Sequence, residues 1–281
     1  MYCRSSFLSI KIWRRILPIA ILDAVMNKSR KIIAIVPARY ASTRFPGKPL
    51  VPILGKTLIQ RTYENAQRCP LLDDLVVATD DQRIFDHVLD FGGKVVMTSS
   101  ECATGTDRLA EVIRHNPQFD QADIIVNIQG DEPCLDPVIT TKMIEALLGD
   151  AAAVMSTAVV PLRSEEEAIQ SSINKCVIDL NGYALYFSRA LIPAGRTLCF
   201  IPSNTYYRHV GIYAYRRSFL LKYAELPPTP LQLAEDLEQL KVLEHGYKIK
   251  TVIVDSISIG VDVPEDIKKV EQLLCKPNTS L

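Results

Sequence analysis

Three cations and two carboxylates stand out for the chemistry they could do together. The run PARYASTRFPGKPL (Pro37 to Leu50) follows an apolar stretch and holds Arg39, Arg44 and Lys48, with Ala41, Ser42 and Gly47 between them. Fixed cations beside accessible backbone N–H groups suit a triphosphate, because hydrogen bonds between ionised partners are strong and arginine grips phosphate bidentately. The run is neither a GxxxxGK[ST] phosphate loop nor a GxGxxG dinucleotide loop. A solvated basic connector would share its composition, yet no acidic side chain interrupts it. Asp131 lies in Asn127-Ile-Gln-Gly-Asp-Glu-Pro133, where a strand gives way at Gly130, and Asp262 lies in Ile259-Gly-Val-Asp-Val-Pro-Glu-Asp266. Carboxylates at strand ends, opposite a phosphate loop, suit Mg²⁺, a hard cation that prefers oxygen and keeps several waters. Asp262 also reads as a helix cap, and Glu265 and Asp266 as first-turn acids that favour the helix dipole. Arg39, Lys48, Asp131 and Asp262 are the candidate catalytic residues, the two aspartates being the candidate metal ligands.

Two further groups have ligand chemistry. Thr104-Gly-Thr-Asp-Arg108 is a glycine turn entering a helix, with Thr106 the expected N-cap. Arg108 reads equally as a ligand-reaching or an ordinary first-turn arginine. Ser188, Arg189, His209, Tyr213, Glu238 and Gln239 are polar in apolar surroundings. A lone histidine at a strand start is commonly structural, whereas arginine with histidine and tyrosine suits a carboxylated, hydroxyl-rich substrate. No GxSxG elbow occurs, and His87, His115 and His245 fall in helical or helix-end contexts, so nucleophilic catalysis is not expected.

The elements that must position these groups alternate. Apolar runs at 31–36, 75–79, 94–97, 123–128, 153–160, 209–215 and 249–254 read as strands. Helical stretches at 57–68, 81–91, 106–115, 137–148, 218–224, 231–244 and 264–274 lie between or after them, the pattern of a mostly parallel sheet. Within 161–206 the rhythm changes: Lys175–Asp179 and Tyr183–Phe187 flank Asn181–Gly182, a hairpin signal. The expected fold is α/β, doubly wound, with a small β-rich insert at about 161–206. Ligands in such sheets bind at the carboxyl ends of strands, which directs attention to 37–48, 79–80, 129–133 and 260–262.

Bulk properties narrow the classes. The 281 residues allow one large α/β domain, or one with an insert, and zero formal net charge gives no reason to expect nucleic acid. Seven cysteines with no CxxC pair argue against a zinc knuckle or a thioredoxin-type site and for reduced thiols in a cytosolic protein. Arg14–Arg15 precede the apolar run 16–22, which is too short to cross a bilayer. Met26 opens MNKSRKIIAIVPARY, so residues 1–30 read as a mis-assigned or dispensable extension outside the fold rather than as a membrane-surface helix. Residues 31–276 then form a single domain.

PARYASTRFPGKPL (37–50), ATDD (78–81), NIQGDEP (127–133), GYALYFSRALIP (182–193), RHVGIYAYR (208–216), LEQLKVLEHG (237–246) and GVDVPED (260–266) together resemble the 3-deoxy-manno-octulosonate cytidylyltransferase, or CMP-Kdo synthetase, family. The resemblance runs in order from about Lys31 to Leu274. It implies a Rossmann-like nucleotidyltransferase fold, a cytoplasmic homodimer with the 161–206 insert at the subunit contact, and Mg²⁺ as cofactor. The implied reaction couples CTP to the eight-carbon acidic sugar Kdo, giving CMP-Kdo and pyrophosphate for lipopolysaccharide synthesis. By position it implies Arg39, Arg44 and Lys48 on the triphosphate, and Asp80, Thr104 and Arg108 lining the nucleotide. Asp131 and Asp262 would bind the metal, with Gln129, Arg189, His209, Tyr213 and Glu238 facing the sugar.

Three positions depart from the family pattern: Asp107 where glutamate is usual, Ser171-Ser-Ile-Asn174 in place of Asn-Pro-Asn, and Lys241 where arginine is common. An N-acylneuraminate cytidylyltransferase is the nearest rival, but its RxGSKGxPxKN-type loop is absent. A catalytically silent nucleotide sensor would be expected to lose the metal carboxylates, which are present.

Overall fold

Alternation along the first strand decides the architecture. In β1 (Lys31–Ala38), Ile32, Ala34, Val36 and Ala38 enter one buried cluster while Ile33 and Ile35 enter another. A strand apolar on both faces needs a layer over each. The computed structural model describes residues 30–41, 45–255 and 259–275.

After β1 come the short pair β2 (Pro52–Ile53) and β3 (Lys56–Thr57), α1 (Leu58–Ala66), β4 (Asp74–Thr79), α2 (Gln82–Asp90) and β5 (Val95–Met97). Next are α3 (Gly105–His115), β6 (Ala122–Asn127), α4 (Pro137–Gly149), β7 (Ala153–Pro161) and α5 (Glu165–Ile169). The second half contains β8 (Lys175–Ile178), β9 (Ala184–Ser188), β10 (Tyr207–Arg216), α6 (Arg217–Tyr223), α7 (Pro230–Glu235), α8 (Glu238–Glu244), β11 (Lys248–Ile253) and α9 (Asp266–Leu274).

The main sheet runs β11-β7-β10-β6-β1-β4-β5. Its pairs are parallel except around β10, which is antiparallel to both β6 and β7. Residues of α1, α2 and α4 pack on one face, through Ile59, Ile84 and Met143; α3, α6 and α8 pack on the other, through Leu109, Phe219 and Leu240. The doubly wound α/β architecture expected from the alternation is the one observed.

The Asn181–Gly182 hairpin forms as expected, with Gly182 in the left-handed region (φ 76). It joins the sheet where Lys175 of β8 pairs with Arg208 of β10. Its tip reaches the outer strand: Tyr183 pairs with Lys250, and Thr251 N–H donates to Gly182 O at 2.8 Å.

Three boundaries differ from expectation. The helix expected over 231–244 is two helices, because Asp236 takes a left-handed conformation (φ 52) and α7 buries no residue that would carry one apolar face onward. Thr104, not Thr106, caps α3; its hydroxyl accepts from Asp107 N–H while the Asp107 carboxylate accepts from Thr104 N–H. The last helix starts at Asp266 rather than at Pro264. Among the described residues no helix is long and apolar enough to cross a membrane. Arg44, and the extension up to residue 29 with Cys3, lie outside the described residues.

Candidate active site

β1, β4 and β6 are parallel, so the loops at 38–48, 80 and 128–133 leave one edge of the sheet together. Close approach is built into the backbone there: a Cβ on Gly130 would sit 2.8 Å from Pro37 O. Gly47 has φ 72, its N–H donates to Tyr40 O at 2.9 Å, and the Tyr40 ring lies against its α-carbon. That turn delivers Lys48. Its ammonium donates to Asp131 Oδ2 at 2.6 Å and to Val261 O at 2.7 Å, and lies 3.9 Å from Asp262 Oδ1.

Asp131 and Asp262 therefore converge, though neither occupies a strand end proper. Asp131 follows β6 by four residues. Ile259 to Val261 are not in a strand, and their segment is tied in by Val261 N–H donating to Asp131 O at 2.9 Å. Asp262 is not the helix cap: Glu265 holds that position, Asp266 in the first turn accepts the N–H groups of Asp262 and Val263, and the Asp262 carboxylate is exposed. Two carboxylates already drawn to one cation form an all-oxygen donor pair that fits Mg²⁺, which takes few protein ligands beside substrate phosphate and water. Among the described residues no larger cluster of acidic, histidine or cysteine side chains could hold a metal. Arg39 is aimed elsewhere: its guanidinium donates to Cys102 O, on the loop before α3.

Asp80, Thr104 and Arg108 form the adjoining flank. Arg108 is 0% exposed, donating to Asp80 Oδ2 at 2.9 Å and to Thr98 Oγ1. It is neither a ligand-reaching nor a first-turn surface arginine; it is the buried support of Asp80. Thr104 is occupied as the cap of α3, and the Asp107 side chain completes that cap, so the Asp-for-Glu departure serves helix initiation.

The remaining candidates gather around β10. Gln129 Nε2 donates to Gly211 O at 2.9 Å, where the register of β10 on β7 shifts between Val210 and Tyr213. Such bulges re-aim side chains. Thr157 Oγ1 stitches this one, lying 2.7 Å from Ile212 O and 2.9 Å from His209 Nε2. With the hydroxyl hydrogen given to a carbonyl, His209 Nε2–H is the donor to Thr157. Burial depresses the His209 pKa to about 3, so the ring is neutral. Tyr213 O–H donates to Gln239 Oε1 at 3.1 Å, and the buried Gln239 Nε2 has no hydrogen-bond partner among the described residues. Glu238 opens α8 and accepts from Thr106 Oγ1 at 2.8 Å, which links α8 to the first turn of α3; burial raises its pKa. Arg189 is held from the α7–α8 junction, its Nε donating to Glu235 O at 2.8 Å.

A cytidylyltransferase family model matches residues 33–249. Among curated proteins, 3-deoxy-manno-octulosonate cytidylyltransferase of Protochlamydia amoebophila is 63% identical over 89% of this chain and 97% of its own length. The mitochondrial protein of that name from Arabidopsis thaliana is 47% identical over 92% of this chain and 89% of its own. The chain belongs to the 3-deoxy-manno-octulosonate cytidylyltransferase family. A solved CMP:2-keto-3-deoxy-manno-octonic acid synthetase complexed with CTP superposes with a TM-score of 0.81 at 40% identity, covering 87% of this chain and 98% of that one. The 4-diphosphocytidyl-2C-methyl-D-erythritol synthase of Anaerococcus prevotii, at 16% identity and a TM-score of 0.58 over 89% and 98% of the two chains, shares the fold alone.

Against the pattern of the 3-deoxy-manno-octulosonate cytidylyltransferase family, the Lys241 departure has a local explanation. Its ammonium lies 3.8 Å from the centre of the Tyr223 ring and donates to Leu226 O at 3.3 Å, so no bidentate partner is needed there. Residues that sequence patterns did not single out also support the site. Cys102 holds Arg39 through its carbonyl, and Glu235 accepts from both Ser188 and Arg189. A backbone carbonyl leaves no trace in residue type, whereas Glu235 beside the polar set was a usable signal.

Proposed function

We propose that this chain couples CTP to 3-deoxy-manno-octulosonate (Kdo), forming CMP-Kdo and pyrophosphate and so activating Kdo for lipopolysaccharide synthesis. The observation that carries the proposal is the convergence of Asp131 and Asp262 on Lys48 beside the basic loop. Family membership supplies the base and the sugar. In this proposal the anomeric hydroxyl of Kdo attacks the α-phosphorus in line and pyrophosphate departs, a reaction served mainly by positioning and charge.

Arg39, on giving up its bond to Cys102 O, grips the triphosphate with Arg44 and Lys48, and Lys48 exchanges part of its hold on Asp131 for phosphate oxygen. Asp131 and Asp262 would hold Mg²⁺, which when bound offsets the charge that develops on the phosphate oxygens. Asp80, braced by Arg108, and the turn from Thr104 line the nucleotide. Gln129, Arg189, His209, Tyr213 and Glu238 face the sugar, joined by the partnerless Nε2 of Gln239. Because His209 is neutral, it meets the sugar as a hydrogen-bonding group, and the cation for the Kdo carboxylate is Arg189.

The expected homodimer and cytoplasmic location belong to the same proposal. Exposed Ile169, Leu180, Leu185 and Leu198 in the 161–206 insert support a subunit contact there. The test is pyrophosphate release across a panel of nucleotides and acidic sugars. CTP with Kdo should be the preferred pair; faster turnover with an N-acylneuraminate would overturn the sugar assignment.

A further inference from the structure

A lysine wholly removed from solvent is uncommon, because stripping water from an ammonium is costly unless every donor is met. Lys175, the first residue of β8, is 0% exposed. Its Nζ donates to Gln170 O at 2.7 Å, Ile173 O at 2.7 Å and Arg189 O at 2.6 Å. Three N–H groups meet three carbonyls, the full capacity of the group.

The carbonyl it holds is that of the residue assigned above to the sugar carboxylate. The other anchors of Arg189 come from the junction of α7 and α8. Its backbone N–H donates to Glu235 Oε2 at 3.0 Å, its Nε to Glu235 O at 2.8 Å and its Nη2 to Asp236 O at 3.2 Å. Ser188 Oγ takes the second Glu235 oxygen at 2.6 Å. Arg189 is thus fastened through its own carbonyl on one side and through Glu235 and Asp236 on the other. The loop before Lys175, Ser171-Ser-Ile-Asn174, holds no proline to stiffen it, and two of the three ammonium bonds close on Gln170, just before it, and Ile173, within it. Its last residue offers Asn174 O to His209 N–H at 2.8 Å, so the same short segment also sets the height of the histidine strand. Methionine could fill the volume of Lys175 without burying a charge, but it could direct no bond at Arg189.

We infer that Lys175 is a positioning residue for the acidic sugar, acting through Arg189; the inference rests on the assignment of Arg189 to the sugar. The test measures pyrophosphate release for wild type, Lys175→Met, Arg189→Ala and the double variant. Each is titrated with Kdo at saturating CTP and with CTP at saturating Kdo. Lys175→Met should raise KM for Kdo at least about fivefold while KM for CTP moves by less than about twofold, a split that a merely destabilised protein would not give. A parallel rise in both values, or an unchanged KM for Kdo, overturns the inference.

The single variants separate it from the sugar-site assignment. If Arg189→Ala leaves KM for Kdo unchanged, that assignment fails; if Arg189→Ala raises it and Lys175→Met does not, only the role of Lys175 fails. The double variant should be no worse for Kdo than Arg189→Ala alone, and full additivity counts against action through Arg189. Should Lys175→Met not fold, Lys175→Gln, which keeps a donor on a shorter chain, should show the same split at smaller amplitude. Equal effects on both substrates in that variant overturn the inference as well.

Discussion

The ammonium of Lys48 sits 2.6 Å from Asp131 and 3.9 Å from Asp262, so one lysine spans two carboxylates that are 131 residues apart in the chain. One cation and two carboxylates held this way form a set that a triphosphate with its metal can divide between them.

Asp131→Asn and Asp262→Asn should therefore each lower Mg²⁺-dependent pyrophosphate release by at least about 100-fold, the loss of a charge that acts on the transition state. Titrating MgCl₂ in the assay distinguishes weaker metal binding from lost chemistry. Activity near wild type in either variant would remove that residue from the metal site.

Arg189→Ala should weaken Kdo use far more than CTP use, by about tenfold or more in KM for the sugar, the scale of one charge-assisted hydrogen bond. CTP binding measured by calorimetry without sugar should be nearly unchanged. Equal losses for both substrates would move Arg189 out of the sugar site.

The Asp80–Arg108 pair gives a stability prediction. Asp80→Ala leaves a fully buried guanidinium without its carboxylate, at a cost of about 3–5 kcal/mol. In a chain of this size the thermal midpoint should fall by roughly 10 °C. A midpoint within the error of wild type would mean that water or another group meets Arg108.

His209 makes stability depend on pH with a definite sign. The unfolded chain protonates this residue near pH 6.5, whereas the folded chain resists until about pH 3. The favourable contribution is whole above pH 6.5 and erodes as pH falls, by up to about 1.4 kcal/mol per pH unit. Glu238, whose pKa burial raises, acts in the opposite sense, favouring the fold at low pH and losing that contribution as pH rises through its shifted value. Melting curves from pH 7 to pH 5 should fall more steeply for wild type than for His209→Gln. Superimposable slopes would contradict the assignment.

Much of this was legible in the residues. β1, β4 and β6 announce themselves as unbroken apolar runs because they are covered on both faces, and the loops after them contain Lys48, Asp80 and Asp131. Asn181–Gly182 announces its hairpin because few other pairs accept that turn. Charged residues buried by partners that residue type does not reveal were not legible. Arg108 depends on Asp80 and Thr98, and Lys175 on three carbonyls, none of which marks its neighbour in the sequence. The break at Asp236 was hidden for another reason. Residues 231–244 are all compatible with helix, and the interruption is Asp236 in the left-handed region followed by the extended, buried Leu237.

The docking of the 181–183 turn onto β11 reaches beyond the architecture. An outermost strand offers a row of unpaired N–H and C=O groups on which another chain can add, the usual route from a sheet protein to aggregates. Here Gly182 O takes the N–H of Thr251, Tyr183 pairs with Lys250, and the Lys250 ammonium donates to Asn181 O at 2.6 Å, so the insert shields part of that edge. A chain with only the 180–183 turn cut back would open this edge, and the cost would be read in solubility.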